Sequence, residues 1–342
     1  MNFVCYTDWD QLPPSAGALF EQAERGSIFY ARQWFENLTN ALDADQPLVL
    51  ACVVREHQVL AILPLMKAAG DIWHSLKHRY TTHYSFLLAA EDQPRILDCL
   101  VRGLNQLLLK ALLLEPIADD DSRIVALQRT MERAGYHCER FFRFYNWIYR
   151  LQGQCYQDYM AAQPVRLRNT LARKKRKLKR EHGYAIRLFS GDQLPRGMVD
   201  YHAVYNASWK ANEQYAGFLN RVVMDFSRPG WSRLAVLYVQ DKPIAAQLWF
   251  VLGGKASIFR LSYDHTWRHY SPGSILTSFL MEYVIDTDKV DEIDFLTGNE
   301  AYKQDWMSDR RERFALSCVK PATPTGRYAR FVESLQRLSN RR

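Results

Sequence analysis

Residues 255–306 constrain the fold of this chain more than any other stretch. They read KASIFRLSYDHTWRHYSPGSILTSFLMEYVIDTDKVDEIDFLTGNEAYKQDW. Residues 256–263, dense in Ile, Phe, Leu and Tyr, predict a strand. A polar loop follows, then Ser271-Pro272-Gly273, then an apolar helix over 274–285. A second strand over 292–296 ends in a Gly-containing turn and the cluster Glu300, Tyr302 and Lys303. Strand, helix and parallel strand make a βαβ unit, whose ligand site is expected at the C-terminal ends of the strands. The loop before the helix would turn backbone N–H groups toward any anion bound there.

The first half of the chain runs to the same plan. A hairpin over 48–54 and 59–66 turns at Glu56-His57-Gln58, and a third strand over 72–76 follows the turn at Gly70-Asp71. In the second half a hairpin over 234–239 and 244–252 turns at Asp241-Lys242-Pro243, ahead of the strand over 256–263. His83-Tyr84-Ser85 recurs as His269-Tyr270-Ser271, and an apolar helix follows each tripeptide. The first of these helices is expected over 94–114, with 111–115 as an alternative strand. The matched order suggests an internal duplication. The copies are unequal, since Ser85 precedes Phe86-Leu87 and Ser271 precedes Pro272-Gly273. A small turn-forming pair lets a backbone approach a ligand, placing Gly273 at a cleft edge, and Phe-Leu does not.

A chain of 342 residues is long enough for two such domains. The expected class is α/β with mixed sheets. Two tandem domains, 1–152 and 153–342, are joined by a basic helix over 164–182 that belongs to the second. Helices are also expected around Trp34, Phe35, Leu38 and Leu42, and over 123–134, 198–212, 215–226 and 328–338. Strands are expected over 143–151 and 315–319.

The charge is concentrated. Residues 166–180 carry nine Lys and Arg, against a net charge of +8 for the whole chain, so the remainder is close to neutral. Leu167, Leu171 and Leu178 form one narrow apolar stripe on this basic helix. Three roles fit: a solvated helix resting its Leu stripe on the body, a phosphate-binding helix for RNA or a nucleotide-linked substrate, or a peripheral contact with an anionic membrane.

No apolar run approaches the roughly 20 residues needed to cross a bilayer. The N-terminus lacks a basic region followed by a long apolar one, so a signal peptide is not expected. Six scattered cysteines without C-x-x-C or zinc spacing fit reduced thiols in a cytoplasmic protein. No dinucleotide fingerprint, Walker loop, nucleophile elbow or metal cluster occurs in the sequence.

His269-Tyr270-Ser271-Pro272-Gly273 opening a helix, followed by Asp294-Phe295-Leu296, Gly298, Glu300, Tyr302-Lys303 and Trp306, resembles the C-terminal half of the CelD-like acetyltransferases. That group belongs to the GNAT superfamily and is related to the FemAB transferases. The usual GNAT pyrophosphate signature, Gln or Arg followed by Gly-x-Gly or Gly-x-Ala, is absent. The resemblance implies two GNAT-like halves, the first degenerate. It implies an N-acyltransferase with acetyl-CoA or a longer acyl-CoA as co-substrate and no metal. The implied acceptor is an amine, small or glycan-linked, in cell-envelope or exopolysaccharide metabolism. A FemAB-type enzyme would instead take aminoacyl-tRNA, and a binding module would recruit an anionic partner through 166–180.

Acyl transfer to an amine needs a grip on the donor, a base for the ammonium and stabilisation of the oxyanion. Tyr270, Ser271, Pro272, Gly273 and Ser274 are the candidate donor grip. Glu300, favoured, or Asp264 is the candidate base, and Tyr302 the acid for a leaving thiolate. Lys303, Trp209 and Arg260 are candidate substrate contacts. Trp209 and Trp306 fit core positions equally, and Arg260 is a natural partner for Asp294, which is costly to bury unpaired.

Overall fold

The computed structural model describes residues 1–41, 46–68, 72–107, 109–210 and 215–321. They form two compact units. Unit 1 holds Met1–Ala23, Phe29–Arg143 and the described residues from Glu312; unit 2 holds Glu24–Ile28 and Phe144–Arg311. Leu42, the turn at Gly70-Asp71 and the helix expected over 328–338 lie outside the described residues.

In chain order the elements begin with β1 (Asn2–Tyr6), α1 (Ala16–Glu24), α2 (Arg32–Thr39), β2 (Leu48–Arg55) and β3 (Gln58–Ala68). Then come β4 (Ile72–Ser75), β5 (Leu87–Leu88), α3 (Gln93–Gln106), β6 (Ala111–Ala118), α4 (Ser122–Arg133) and β7 (His137–Arg150). The second half holds α5 (Tyr156–Ala162), α6 (Val165–Glu181), β8 (Ala185–Phe189), α7 (Leu194–Asn206) and α8 (Ala216–Ser227). It continues with β9 (Ser232–Val239), β10 (Lys242–Leu252), β11 (Lys255–Tyr263), α9 (Pro272–Asp286), β12 (Glu292–Thr297) and β13 (Asp309–Val319).

In unit 1 the strand order is β1-β2-β3-β4-β6-β13, with β5 on β3. In unit 2 it is β7-β12-β11-β10-β9-β8. Among the described residues each unit has one parallel pair, β4 with β6 and β11 with β12, joined through α3 and α9 respectively. The succession hairpin, third strand, helix, parallel strand therefore occurs twice, and the architecture is two tandem α/β units of mixed sheet. Strand β13 pairs β6 in unit 1, whereas the end of β7 pairs β12 in unit 2.

Two expectations need adjustment. The helix expected over 94–114 stops at Gln106, and the alternative strand over 111–115 is the one found, as β6 over 111–118. All eight residues of β6 are buried, a continuous run that suits a strand covered on both faces better than a helix. The helix expected over 198–212 is α7, which starts four residues earlier with Pro195 in its first turn and ends at Asn206. Elements β5, β8 and α5 were not anticipated. No helix among the described residues is long and apolar enough to cross a membrane.

What positions the site is the packing of α9. This helix is apolar nearly all round, and Ile275, Leu276, Leu280, Met281, Val284 and Ile285 are buried. A polar network fixes its register on β10. Gln247, fully buried, donates from Nε2 to the Gly273 carbonyl and to Thr277 Oγ1, both at 2.8 Å, and its Oε1 accepts from Trp249 Nε1 at 2.9 Å. A buried amide with every polar atom used permits one arrangement of helix on sheet.

Candidate active site

In unit 2 the β11–β12 ladder is short. Lys255 pairs Glu292, Ala256 pairs Ile293, Ser257 pairs Asp294, and the pairing stops there. Both strands change course at once. Phe259 is the extra residue of a bulge between β11 and β10, and bulges re-aim a strand. On β12, Leu296 takes φ 54° within an irregularity against β7, and its N–H donates to Asp294 Oδ1 at 2.6 Å. The strands thus splay below the N-terminus of α9.

The register shows which backbone groups face the gap. The Asp264 N–H donates to the Ile244 carbonyl of β10 at 2.8 Å. Backbone directions alternate along a strand, so Leu261 and Tyr263 turn theirs toward the side where β12 no longer pairs. There Lys210 Nζ donates to the Leu261 carbonyl. Trp209, half exposed, lies against Tyr263 with ring centroids 4.5 Å apart, and the Lys210 ammonium is 5.6 Å from the Trp209 ring. Lys210 escaped the sequence reading because it belongs to no motif and falls within the helix expected over 198–212, whereas α7 ends at Asn206. Gln247 carried a signal, being the one amide in an otherwise apolar strand.

On the opposite side, β12 ends at Thr297 and is followed by Gly298 and the turn to Lys303. Lys303 is 4% exposed, and its ammonium donates to the Thr297 carbonyl at 2.6 Å and lies 3.0 Å from Glu300 Oε2. Burial lowers the Lys303 pKa, and the neighbouring Glu300 and Asp294 carboxylates oppose that shift. The Glu300 carboxylate is more than half exposed and lies over Gly298, at φ 120°, where an added Cβ would fall 2.3 Å from Oε2. The positive φ favours glycine here, and any side chain would displace the carboxylate from its present place. Tyr302, about half exposed, packs on Phe295, and its pKa is pushed up to about 12, by burial first and by Glu300 second.

The structure gives other candidates different duties. Asp264 is buried and caps a short 3-10 turn, His265–Tyr270. Its Oδ1 accepts from the Thr266 N–H at 3.0 Å and from Thr266 Oγ1 at 2.7 Å, and Lys242 pairs with Oδ2 at 3.4 Å. It therefore faces β10 rather than the gap. Arg260 lies with its guanidinium 5.7 Å from the Phe259 ring, while Asp294 accepts from Asn146 Nδ2 at 3.3 Å. Trp306 is core. Gly273 corrects the reading that put it at a cleft edge. It is buried, and an added Cβ would lie 3.3 Å from Tyr263 Cδ1 and 3.6 Å from Leu261 Cδ2. The small residue serves the close approach of α9 to β11. Tyr270 is buried, whereas Ser271 and Ser274 are partly exposed at the mouth of α9.

The Asp264 assignment predicts a pH dependence. Burial acts to raise its carboxyl pKa, but the Thr266 hydrogen bonds and Lys242 outweigh burial and hold it below the ordinary 3.8. As pH falls through that window the unfolded chain takes up the proton first, so the cap's contribution is present above about pH 4 and lost below it. Asp264→Ala should cost about 1 kcal/mol near neutrality. Urea denaturation should find that gap narrowing in acid, and a pH-independent gap would contradict the capping role.

In unit 1 the corresponding gap is filled. After His74 pairs Leu113, the Ser75 hydroxyl donates to the Glu115 carbonyl at 2.7 Å and accepts from its N–H at 3.0 Å. The Tyr84 N–H donates to the Pro116 carbonyl at 2.6 Å, and its buried hydroxyl donates to the Pro64 carbonyl at 2.7 Å. The loop carrying His83-Tyr84-Ser85 thus lies where unit 2 is open, which is the physical meaning of a degenerate first copy.

Residues 165–304 match the family model described as an acetyltransferase (GNAT) domain. No curated protein matches the chain. Among solved structures, FemX is similar over 93% of this chain and 97% of its own, with a TM-score of 0.63 and 10% identity. L-PGS from Bacillus licheniformis matches over 96% and 97%, with a TM-score of 0.59 and 11% identity. The C-terminal domain of a putative lysylphosphatidylglycerol synthetase from Agrobacterium fabrum matches over 92% and 95%, with a TM-score of 0.57 and 14% identity. At such identities these structures speak for the fold.

Proposed function

We propose that this transferase, whose residues 165–304 match an acetyltransferase (GNAT) domain and whose fold is similar to that of FemX, moves an acyl group from acyl-CoA, acetyl-CoA in the simplest case, to an amine acceptor. The observation that carries the reading is the splayed β11–β12 pair beneath the N-terminus of α9. A gap between parallel strands exposes backbone donors and acceptors to an extended amide-bearing donor, and the helix N-terminus favours its phosphates. In this reading Tyr270, Ser271, Pro272, Gly273 and Ser274 form the donor loop, with Gly273 contributing backbone alone. Glu300 accepts the acceptor's proton, directly or through a water, and the desolvated Lys303 ammonium favours negative charge on the reacting carbonyl or a phosphate. In the same reading Trp209 contacts the substrate, and Tyr302 returns a proton to the leaving thiolate.

A second reading, with aminoacyl-tRNA as donor, is favoured by one specific feature. Lys174 and Lys175 of α6 turn inward, but Arg168, Arg173, Arg176 and Lys179 are exposed along the helix. The two readings separate in a thermal-shift panel with CoA, acetyl-CoA and tRNA, because a ligand of the folded state raises the melting temperature by mass action. A shift of several degrees with CoA at about 100 times its Kd is expected, and a flat CoA response would overturn the acyl-CoA reading. If tRNA binds, changing those four outward residues to Gln should flatten the salt dependence of binding by up to about three units of log–log slope. An unchanged slope would remove α6 from the RNA contact.

A further inference from the structure

The most charged element of the chain directs part of its charge inward, onto the loop that opens α9. Helix α6 buries Leu167, Leu171 and Leu178 in the same core as Tyr270, Ile275 and Leu276. From that seat Lys174 Nζ donates to the His269 carbonyl. Lys175 Nζ donates to Ser278 Oγ at 2.8 Å, and the same hydroxyl meets Tyr156 OH at 2.5 Å. The Tyr270 hydroxyl donates to Glu181 Oε2 at 2.8 Å and lies 2.8 Å from His182 Nε2, while the Lys177 ammonium stands 5.0 Å from the Tyr270 ring. Glu181 is held below the ordinary carboxylate range, by the Tyr270 hydroxyl first and Arg180 second.

The loop so held is strained. Ser271 adopts φ 55° and ψ 50°, a left-handed conformation that a residue with a side chain rarely takes, and Pro272 follows it. Such a residue persists only where its surroundings over-determine it. Its own neighbours supply two bonds, from the Ser271 N–H to the Arg268 carbonyl at 3.0 Å and from the Ile275 N–H to the Ser271 carbonyl at 3.2 Å. Gln247 of β10 holds the Gly273 carbonyl on one side, and on the other the His269 carbonyl and the Tyr270 hydroxyl are held from α6 and its C-terminal end.

We infer that Lys174 and Glu181 of α6, with His182 at its C-cap, are positioning residues: they brace the His269–Tyr270 backbone and ring so that the strained Ser271 presents the N-terminus of α9 to the donor. Part of the Lys- and Arg-rich run is thereby explained by contacts within unit 2, independently of any polyanion. The role in donor binding rests on the acyl-CoA reading; the brace itself does not.

The test uses the full chain with Lys174→Met, Tyr270→Phe and, as an outward control on the same helix, Arg173→Met. Amide hydrogen exchange at residues 269–275 reads the brace without any donor. It should quicken in Lys174→Met and Tyr270→Phe and stay as in wild type in Arg173→Met. Titration with CoA and steady-state kinetics read the consequence. The Kd and KM for the donor should rise about tenfold with kcat within about threefold, since a misplaced loop weakens binding before it touches the chemistry. Unchanged exchange in the two inward variants overturns the brace. So does an equal effect from Arg173→Met, which would reduce it to general electrostatics. Faster exchange with unchanged CoA affinity overturns the role in donor binding. Failure of the wild-type chain to bind CoA would instead sink the acyl-CoA reading, with the exchange result still deciding the brace.

Discussion

Glu300→Gln should lower turnover by ~10²-fold or more while donor affinity stays near that of the wild type. The substitution keeps the size of the side chain and an oxygen for Lys303, which lies 3.0 Å from Oε2. It removes only the capacity to take a proton. The neighbourhood suits a base. The carboxylate is solvent-accessible, follows directly on β12, and is held by the buried Lys303 ammonium beside it. Lys303 retains the Thr297 and Phe295 carbonyls in the variant, so the turn should persist. Titration with CoA, together with an assay of thiol release, separates the two effects. Full activity would move the base to a water held elsewhere, because Asp264 is committed to its cap. A parallel loss of CoA affinity would mean that Glu300 supports the donor site rather than the chemistry.

Gly273→Asp should damage the protein more broadly. Were Gly273 at the rim of a cleft, the added carboxylate would repel a phosphate and leave the fold intact. The buried glycine found here makes a different prediction. The new Cβ would press on Tyr263 Cδ1 at 3.3 Å, and the carboxylate beyond it would be forced against the Tyr263 and Leu261 side chains in the packed α9–β11 contact. Overpacking and carboxylate burial together should cost about 3 kcal/mol or more, and the variant should melt well below the wild type or fail to accumulate folded. Gly273→Ala is the informative companion. Its methyl group requires a shift of a few tenths of an ångström between α9 and β11. It should fold with a melting temperature within a few degrees of the wild type and still bind CoA. Thermal denaturation of both variants decides the point, and wild-type stability for Gly273→Asp would mean that this face of α9 is not packed as described.

How much of this was legible in the sequence depended on how local the cause was. The core unit of strand, helix and parallel strand was legible because its signals are short-range. Residues 256–263 are rich in β-formers, Ser271-Pro272-Gly273 opens a helix, and the following residues are apolar on every side. The duplication was legible for the same reason, since a repeated hairpin, tripeptide and helix needs no tertiary information. The boundary of α3 was not, because a run of leucines from Leu107 to Leu114 suits either period, and only burial on both faces makes its second part strand β6. Nor did local pattern say that β13 pairs β6 in unit 1, a pairing across about 200 residues of chain. The site shows the same division. The Glu300, Tyr302 and Lys303 cluster stood out as residues, but the burial of Lys303, the cap role of Asp264, the packing role of Gly273 and the reach of Lys210 to Leu261 depend on which way each side chain turns. The basic run of α6 makes the case most clearly. Its composition gave the charge and its leucine spacing gave one buried stripe. Which lysines face inward was decided by the carbonyl of His269 and the hydroxyl of Ser278 lying within their reach, and those partners are about 100 residues away along the chain.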